Sequence, residues 1–389
     1  MRAGAYRRRK KAIMKKFLAL ALTLAMLLVL AAGCANQPPT EGSESTGEPS
    51  AAPSESTPQT RVLLDAEGRE VEVPDTAERI VCVGVGALRY VCYMGAQDTV
   101  VGVEEHETEA VIQRLYTYVN HDQFSNLPVI GMKDEPDAET IIQIDPQVIV
   151  LSAYLDGADA LQEKTGIPVV VVPGSDTTLD DKAYETIRML GELLGREEKA
   201  AELTAYLKGV AEDLESRTAN IPDSEKPSVY VCGVSFKGSH GFEGTEAYYG
   251  PFELIHAKNL ANETSDTNTA FSIDPEQVLS WDPEIIFVDY NGLSLIREDY
   301  QNQPDFYNAL SAVQNGRVYA QISFRHCASN LETALADAYY AATVMYPEQF
   351  ADVDPATKAD EIFTELLGKP VYNELAEAGY VFGEIKIGE

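Results

Sequence analysis

Two stretches of this chain, far apart along it, are copies of one pattern. Residues 137–150 read Asp-Ala-Glu-Thr-Ile-Ile-Gln-Ile-Asp-Pro-Gln-Val-Ile-Val, and residues 274–287 read Asp-Pro-Glu-Gln-Val-Leu-Ser-Trp-Asp-Pro-Glu-Ile-Ile-Phe. Asp137 matches Asp274, Glu139 matches Glu276, Asp145-Pro146 matches Asp282-Pro283, and the apolar positions coincide. Each copy predicts a short helix that an aspartate caps at its start. A glutamate follows in the first turn, where the helix dipole favours negative charge. The helix ends at Asp-Pro, because the residue before a proline is biased out of the helical region. A buried strand comes next. Such a repeat requires two like halves. It also puts Glu139 and Glu276 at equivalent exposed positions.

The sequence around the repeat supports this reading. A hairpin opens the folded part, with strand patterns at 61–65 and 70–73. Apolar runs at 79–85, 100–103, 147–151 and 169–172 alternate with helical segments, which predicts an α/β domain with a largely parallel sheet. Residues 181–220 read as helix. Leu203, Leu207, Val210 and Leu214 follow a period near 3.6, so 197–218 forms a rod about 33 Å long. Beyond Pro222 the alternation resumes, with strands at 228–234, 285–288 and 318–322 and helices near 249–256 and 330–345. The expected fold is α/β: two Rossmann-like lobes with central, largely parallel sheets joined by a long α-helix. The lobes are assigned to 61–180 and 222–389, with a helical linker at 181–221. Apolar residues at 45% are enough for full cores.

The first 60 residues have a different character. Eight basic residues precede Cys34, and no acid accompanies them. An apolar stretch at 17–32 is short for a membrane span and has the n-region and h-region of a signal peptide. It ends in Ala31-Ala32-Gly33-Cys34, which resembles a bacterial lipobox. Residues 1–33 are therefore read as a lipoprotein signal peptide. Cys34 is read as the lipidated residue, since a thiolate is nucleophilic enough to take the lipid. Residues 34–60 are rich in Pro, Ser, Thr, Glu and Gly and predict a disordered tether. The chain is thus expected at the cell membrane, held by lipid and facing the extracellular side or periplasm.

The net charge of −32 makes nucleic acid an unfavourable partner. The five cysteines form no C-x-x-C pair, and Cys82 and Cys232 sit in apolar runs that predict buried thiols. No G-x-S-x-G, H-E-x-x-H or phosphate-loop pattern occurs. Gly84-Val85-Gly86 follows a strand, but Arg89 stands where a dinucleotide fingerprint has its third glycine. The chain reads as a binding protein, not an enzyme.

Several of these features meet in one family. The hairpin at 62–73, Glu-Arg-Ile-Val at 78–81, the two glutamate repeats, Leu-Gly-Glu-Leu-Leu-Gly-Arg-Glu-Glu-Lys-Ala at 190–200 and Ser-Asn-Leu-Glu-Thr-Ala-Leu-Ala-Asp-Ala-Tyr-Tyr at 329–340 resemble the helical-backbone metal-receptor superfamily. These are the binding proteins of ABC importers for ferric siderophores, haem, cobalamin and some metals. The resemblance spans about residues 61–370. It implies a monomer with a permease dimer and cytoplasmic ATPase as partners. Glu139 and Glu276 would dock on arginines of the two permease subunits. The ligand would be a small metal complex (a ferric chelate of siderophore type, haem or a corrinoid), with no intrinsic cofactor, and the stiff linker implies modest lobe closure.

The ligand is expected between the lobes, on loops after the strand ends. Candidate residues there are His106 and Tyr154 from the first lobe and His240, Tyr249, Tyr290, Arg325 and His326 from the second. Tyrosines offer large contact area at low entropic cost, and Arg325 suits a carboxylate or anionic chelate. His106, His240 and His326 have no fixed spacing. Loop polarity and direct ligation of a metal ion or haem iron both remain open for them, so the metal ligands are unassigned. A sensor or enzyme on the same anchor is the rival class.

Overall fold

Both copies of the repeat fold alike in the computed structural model, which describes residues 59–174, 178–235 and 238–389. The helix Ala138–Ile144 is capped by the Asp137 carboxylate, which accepts the Glu139 and Thr140 N–H groups at 3.0 and 3.5 Å. The helix Pro275–Trp281 is capped by Asp274, which accepts the Glu276 N–H at 3.0 Å. Each helix ends on an aspartate in the left-handed region, Asp145 with φ 56° and Asp282 with φ 47°. Proline then follows, so both the positive φ and the next residue stop the helix. The fully buried strands Val148–Ser152 and Ile285–Asp289 come after.

Each of these strands lies inside its own sheet. The first sheet runs Val100–Gly102, Ile80–Val83, Val148–Ser152, Val169–Val172, and every neighbouring pair is parallel. The second runs Lys258–Asn259, Ser228–Cys232, Ile285–Asp289, Val318–Gln321, also parallel, with Gly383–Glu384 antiparallel at the edge. In both, the first strand of the parallel set lies second in the sheet and the order reverses beside it. The near-continuous Val and Ile runs suit strands covered on both faces. The expected α/β architecture with two parallel sheets is what the chain adopts. The opening hairpin pairs Thr60–Leu64 with Glu70–Pro74.

The segment expected as the linker forms two helices. Asp181–Leu194 ends at Gly195, which takes φ 63°, and Glu197–Thr218 follows and packs back against it. Glu197–Thr218 buries Leu203, Leu207, Val210 and Leu214 as its periodicity predicts. Helix Leu331–Met345 is buried along almost its whole length, and its alanines allow close packing from every side. The helix Pro355–Leu367 then crosses back and packs on Ala87–Tyr93 and Leu115–Val119 of the first lobe. One apolar core runs from the hairpin through the linker to this C-terminal segment. That core is why the described residues from Gln59 onward pack as one compact unit. The signal peptide, Cys34 and the tether as far as residue 58 lie outside the described residues. Among the described residues no helix is long and apolar enough to cross a membrane.

Candidate functional site

In parallel sheets of this order, ligands settle outside the carboxyl ends of the strands where the order reverses. A crevice of about 1070 Å³ opens there, between the two lobes. Val85 and Tyr154 line it from the first lobe, and Ser235, Phe271, Arg325 and Ala328 from the second. A recess of about 570 Å³ adjoins it at Asn268, bounded by Thr178, Tyr248, Glu253 and Asp266. Together they are large enough for a ligand of siderophore size.

The first-lobe wall is set by buried carboxylates. Gly84 takes φ 85°, and a Cβ there would fall 2.8 Å from Leu155, so the turn after the strand requires glycine. The Glu104 carboxylate accepts the Gly84 N–H at 3.1 Å and the Asp134 N–H at 2.8 Å, while Asp134 accepts the Val85 N–H at 3.2 Å. Burial pushes the Glu104 carboxyl up to about 7. Glu107 is pushed up to about 8 by burial and by the neighbouring Glu104, and it accepts the Tyr116 hydroxyl at 3.1 Å.

Beside these carboxylates lies a cluster of basic side chains. Arg89 is wholly buried, Arg114 is 2 % exposed, and Lys133 is exposed. Arg114 has one ion pair, a 3.5 Å contact with the exposed Glu109, and its Nε is buried without a partner. His106, on the turn Glu105–Thr108, has both ring nitrogens buried and unpartnered. Burial, then the charges of Arg114, Lys133 and Arg89, hold His106 down at about 4. Burial followed by the same three cations holds His326 down at about 4. Two neutral imidazoles, one from each lobe, therefore share one field of positive charge. The lobes meet here: Gln113 Nε2 donates to Asn291 Oδ1 at 3.4 Å.

The other candidates are distributed unevenly. Tyr154 is 43 % exposed in the crevice wall. Arg325 also lines the crevice, but its guanidinium is already paired in a fork with the buried Glu246. His240 stands behind the wall, its Nδ1 3.5 Å from Ser272 Oγ and 3.4 Å from Glu243. Two of the expected contacts are corrected. Tyr249 is wholly buried, packed edge-on against Phe252 and Phe324, with Gln321 donating to its hydroxyl. Its neighbour Tyr248, at φ 51°, is the one that faces the recess. Tyr290 opens the helix Tyr290–Asn302, because Asp289 caps it through the Asn291 N–H at 2.9 Å. Its hydroxyl is tied to the backbone of Val381 and its ring to Tyr380, so it faces the C-terminal segment. Sequence reasoning missed Arg114 and Glu246 as site components, since no local pattern marks them.

Glu139 and Glu276 are both exposed at the second position of their helices, and neither carboxylate is paired with a described side chain. The described cysteines Cys82, Cys92, Cys232 and Cys327 are all free, the first three buried. No group of three or more metal-binding side chains occurs among the described residues.

The profile of the periplasmic binding protein family matches residues 80–321. The Fe(3+)-citrate-binding protein YfmC of Bacillus subtilis is 25% identical over 304 residues, 78% of this chain and 89% of that protein. The petrobactin-binding protein YclQ of the same organism is 22% identical over 311 residues, 78% of this chain and 90% of that protein. Among solved structures, a periplasmic solute binding protein from Veillonella parvula superposes with a TM-score of 0.64 at 19% identity, covering 80% of this chain and 94% of that one. The molybdate-bound MolA of Haemophilus influenzae superposes with a TM-score of 0.63 at 17% identity, covering 80% and 98%.

Proposed function

This chain belongs to the periplasmic binding protein family, and from that premise we propose that it captures an anionic ferric chelate outside the cell and delivers it to an ABC importer. The observation that carries this is the convergence of Arg114, Lys133, Arg89 and two neutral histidines at the meeting of the lobes, in a chain with 62 acidic and 30 basic side chains. Positive charge concentrated beside the crevice selects a negatively charged ligand. Iron bound by carboxylates or catecholates carries that charge, and it matches the ligands in the names of YfmC and YclQ. The His326 imidazole, uncharged and on the turn that borders the crevice, can donate to the chelate or fill an open position on its metal.

The anchor is lipid on Cys34, and the chain stands on the outer side of the membrane by its tether. Permease docking uses Glu139 and Glu276, one from each lobe at matching positions, where an arginine of each permease subunit can pair with it.

The test is calorimetric titration with ferric citrate and with a neutral ferric trihydroxamate. Wild type should prefer the anionic chelate. Lys133→Gln, at an exposed position, should weaken ferric citrate by about three- to tenfold, the size of one partly screened charge contact, and leave the neutral chelate unchanged. Equal loss for both chelates, or none for either, would defeat the charge argument.

A further inference from the structure

The dinucleotide fingerprint breaks at Arg89, and that arginine does something a glycine could not. It lies on the first-lobe helix Ala87–Tyr93, wholly buried, and its guanidinium crosses to the second lobe. Nη1 donates to the Ser329 carbonyl at 2.9 Å, and Nη2 to the His326 carbonyl at 3.2 Å and the Cys327 carbonyl at 2.6 Å. The Tyr116 ring stacks beneath it at 4.9 Å. A second tie runs alongside, where the Tyr93 hydroxyl donates to Glu332 and accepts the Leu331 N–H at 3.1 Å.

The turn that Arg89 grips is strained. Cys327 and Ala328 have φ of 53° and 66°, two successive left-handed residues, neither of them glycine. Single left-handed residues of this kind are uncommon, and a pair needs external support. The support comes from both sides. Asn330 Nδ2 donates to the carbonyls of Phe324, His326 and Ala328 from within the second lobe, and Arg89 takes the carbonyls on the other side. Arg325 and Ser329 close the turn as an isolated bridge, and Arg325 Nη1 donates to Ser329 Oγ at 2.9 Å. The same turn supplies Arg325, Ala328 and Ser329 to the crevice wall and carries His326.

We infer that Arg89 is a positioning residue for ligand binding, a pin from one lobe that holds the opposite lobe's ligand turn in its strained shape. It does not line the crevice; it acts through the three carbonyls. The pin also makes the shape of the second-lobe wall depend on the position of the first lobe. Separation of the lobes by an ångström or two breaks the hydrogen bonds and frees the turn to relax. The ligand part of this inference rests on the crevice being the chelate site.

The experiment uses the full chain purified in detergent, in four forms: wild type, Arg89→Met, Ala328→Gly and the double variant. Two quantities are measured. The first needs no ligand: the rate at which an aromatic disulfide reagent modifies Cys327, the only described cysteine that is not buried. The second is the Kd for ferric citrate and for a neutral ferric trihydroxamate. In Arg89→Met the turn opens, so the thiol should react at least about tenfold faster, as for a locally unfolded segment, and chelate affinity should fall by a similar factor. Ala328→Gly alone should change the thiol rate by less than about threefold, and its own Kd is the reference for the double variant. Added to Arg89→Met, it should recover at least about threefold of each loss, because glycine adopts the left-handed region without a Cβ clash. A merely structural loss would not be rescued by a glycine in the turn.

Unchanged thiol rates in Arg89→Met overturn the pin. Faster thiol reaction with unchanged affinity overturns its role in binding, and so does failure of the glycine to rescue either quantity. If Arg89→Met does not fold, Arg89→Lys takes its place with the same expectations, since an ammonium cannot span three carbonyls in the guanidinium's geometry. If wild type binds neither chelate, the ferric-chelate reading fails, and the thiol rates still decide whether Arg89 holds the turn.

Discussion

Replacing Glu246 with leucine should destabilise the protein far more than replacing both Glu246 and its partner. Glu246 is wholly buried, and the Arg325 side chain is 20% exposed. Nε donates to Glu246 Oε2 at 3.1 Å, Nη2 donates to the other oxygen, and Nη1 donates to Ser329 Oγ at 2.9 Å. Breaking a buried pair by removing one partner typically costs about 3–5 kcal/mol, because the charge left behind has lost its counterion. Arg325 keeps its hydrogen bond to Ser329 Oγ and some contact with water, which places Glu246→Leu near the lower bound, about 3 kcal/mol. Arg325→Met leaves a carboxylate that burial already holds above its ordinary pKa, so the acid takes up a proton and the loss is smaller, about 1–2 kcal/mol. The double variant has no stranded charge and should lie within about 1 kcal/mol of wild type, giving a coupling of about 3–5 kcal/mol. Urea unfolding followed by circular dichroism measures all four corners of the cycle. A coupling below about 1 kcal/mol would mean that the pair is already solvated and would refute the reasoning.

Charge reversal of Glu139 and Glu276 together should abolish uptake of iron chelate by cells while leaving the Kd of the purified chain unchanged; normal uptake by the double variant would remove the docking assignment. Stability should fall as pH rises from 6.5 to 8.5. Burial raises Glu104 and Asp289 to about 7 and Glu107 to about 8, so in this window the native state holds protons that the unfolded chain has already released. Their stabilisation is lost as pH passes through those values, by roughly 3–4 kcal/mol in total at 1.36 kcal/mol per proton per pH unit. His106 and His326, lowered to about 4, have the opposite slope, but only below pH 6.5. Flat or rising stability in urea titrations across the window would contradict these assignments.

The fold was legible where chemistry is local. Val169–Val172 is four consecutive valines and could hardly be anything but a buried strand. The Asp-x-Glu and Asp-Pro elements of the repeat fix cap, dipole and stop within ten residues, so both helices fall where the pattern puts them. The site was less legible because its contacts are long-range. Tyr248 and Tyr249 are adjacent and chemically alike, and only the turn at φ 51° decides which one reaches the recess and which enters the core. Tyr290 looked like a loop residue after a strand, yet Asp289 before it is a helix cap. Arg89 was visible as a departure from a glycine fingerprint. Its partners lie more than 230 residues away, beyond any local pattern.

The most direct measurement is the anomalous scattering of iron in crystals of the chain grown with ferric citrate. One iron per molecule should appear between the lobes, bounded by Tyr154, Arg325 and Ala328. Iron on an outer face, or a crevice that stays empty at saturating chelate, would contradict the reading of this protein as a receptor for ferric chelates.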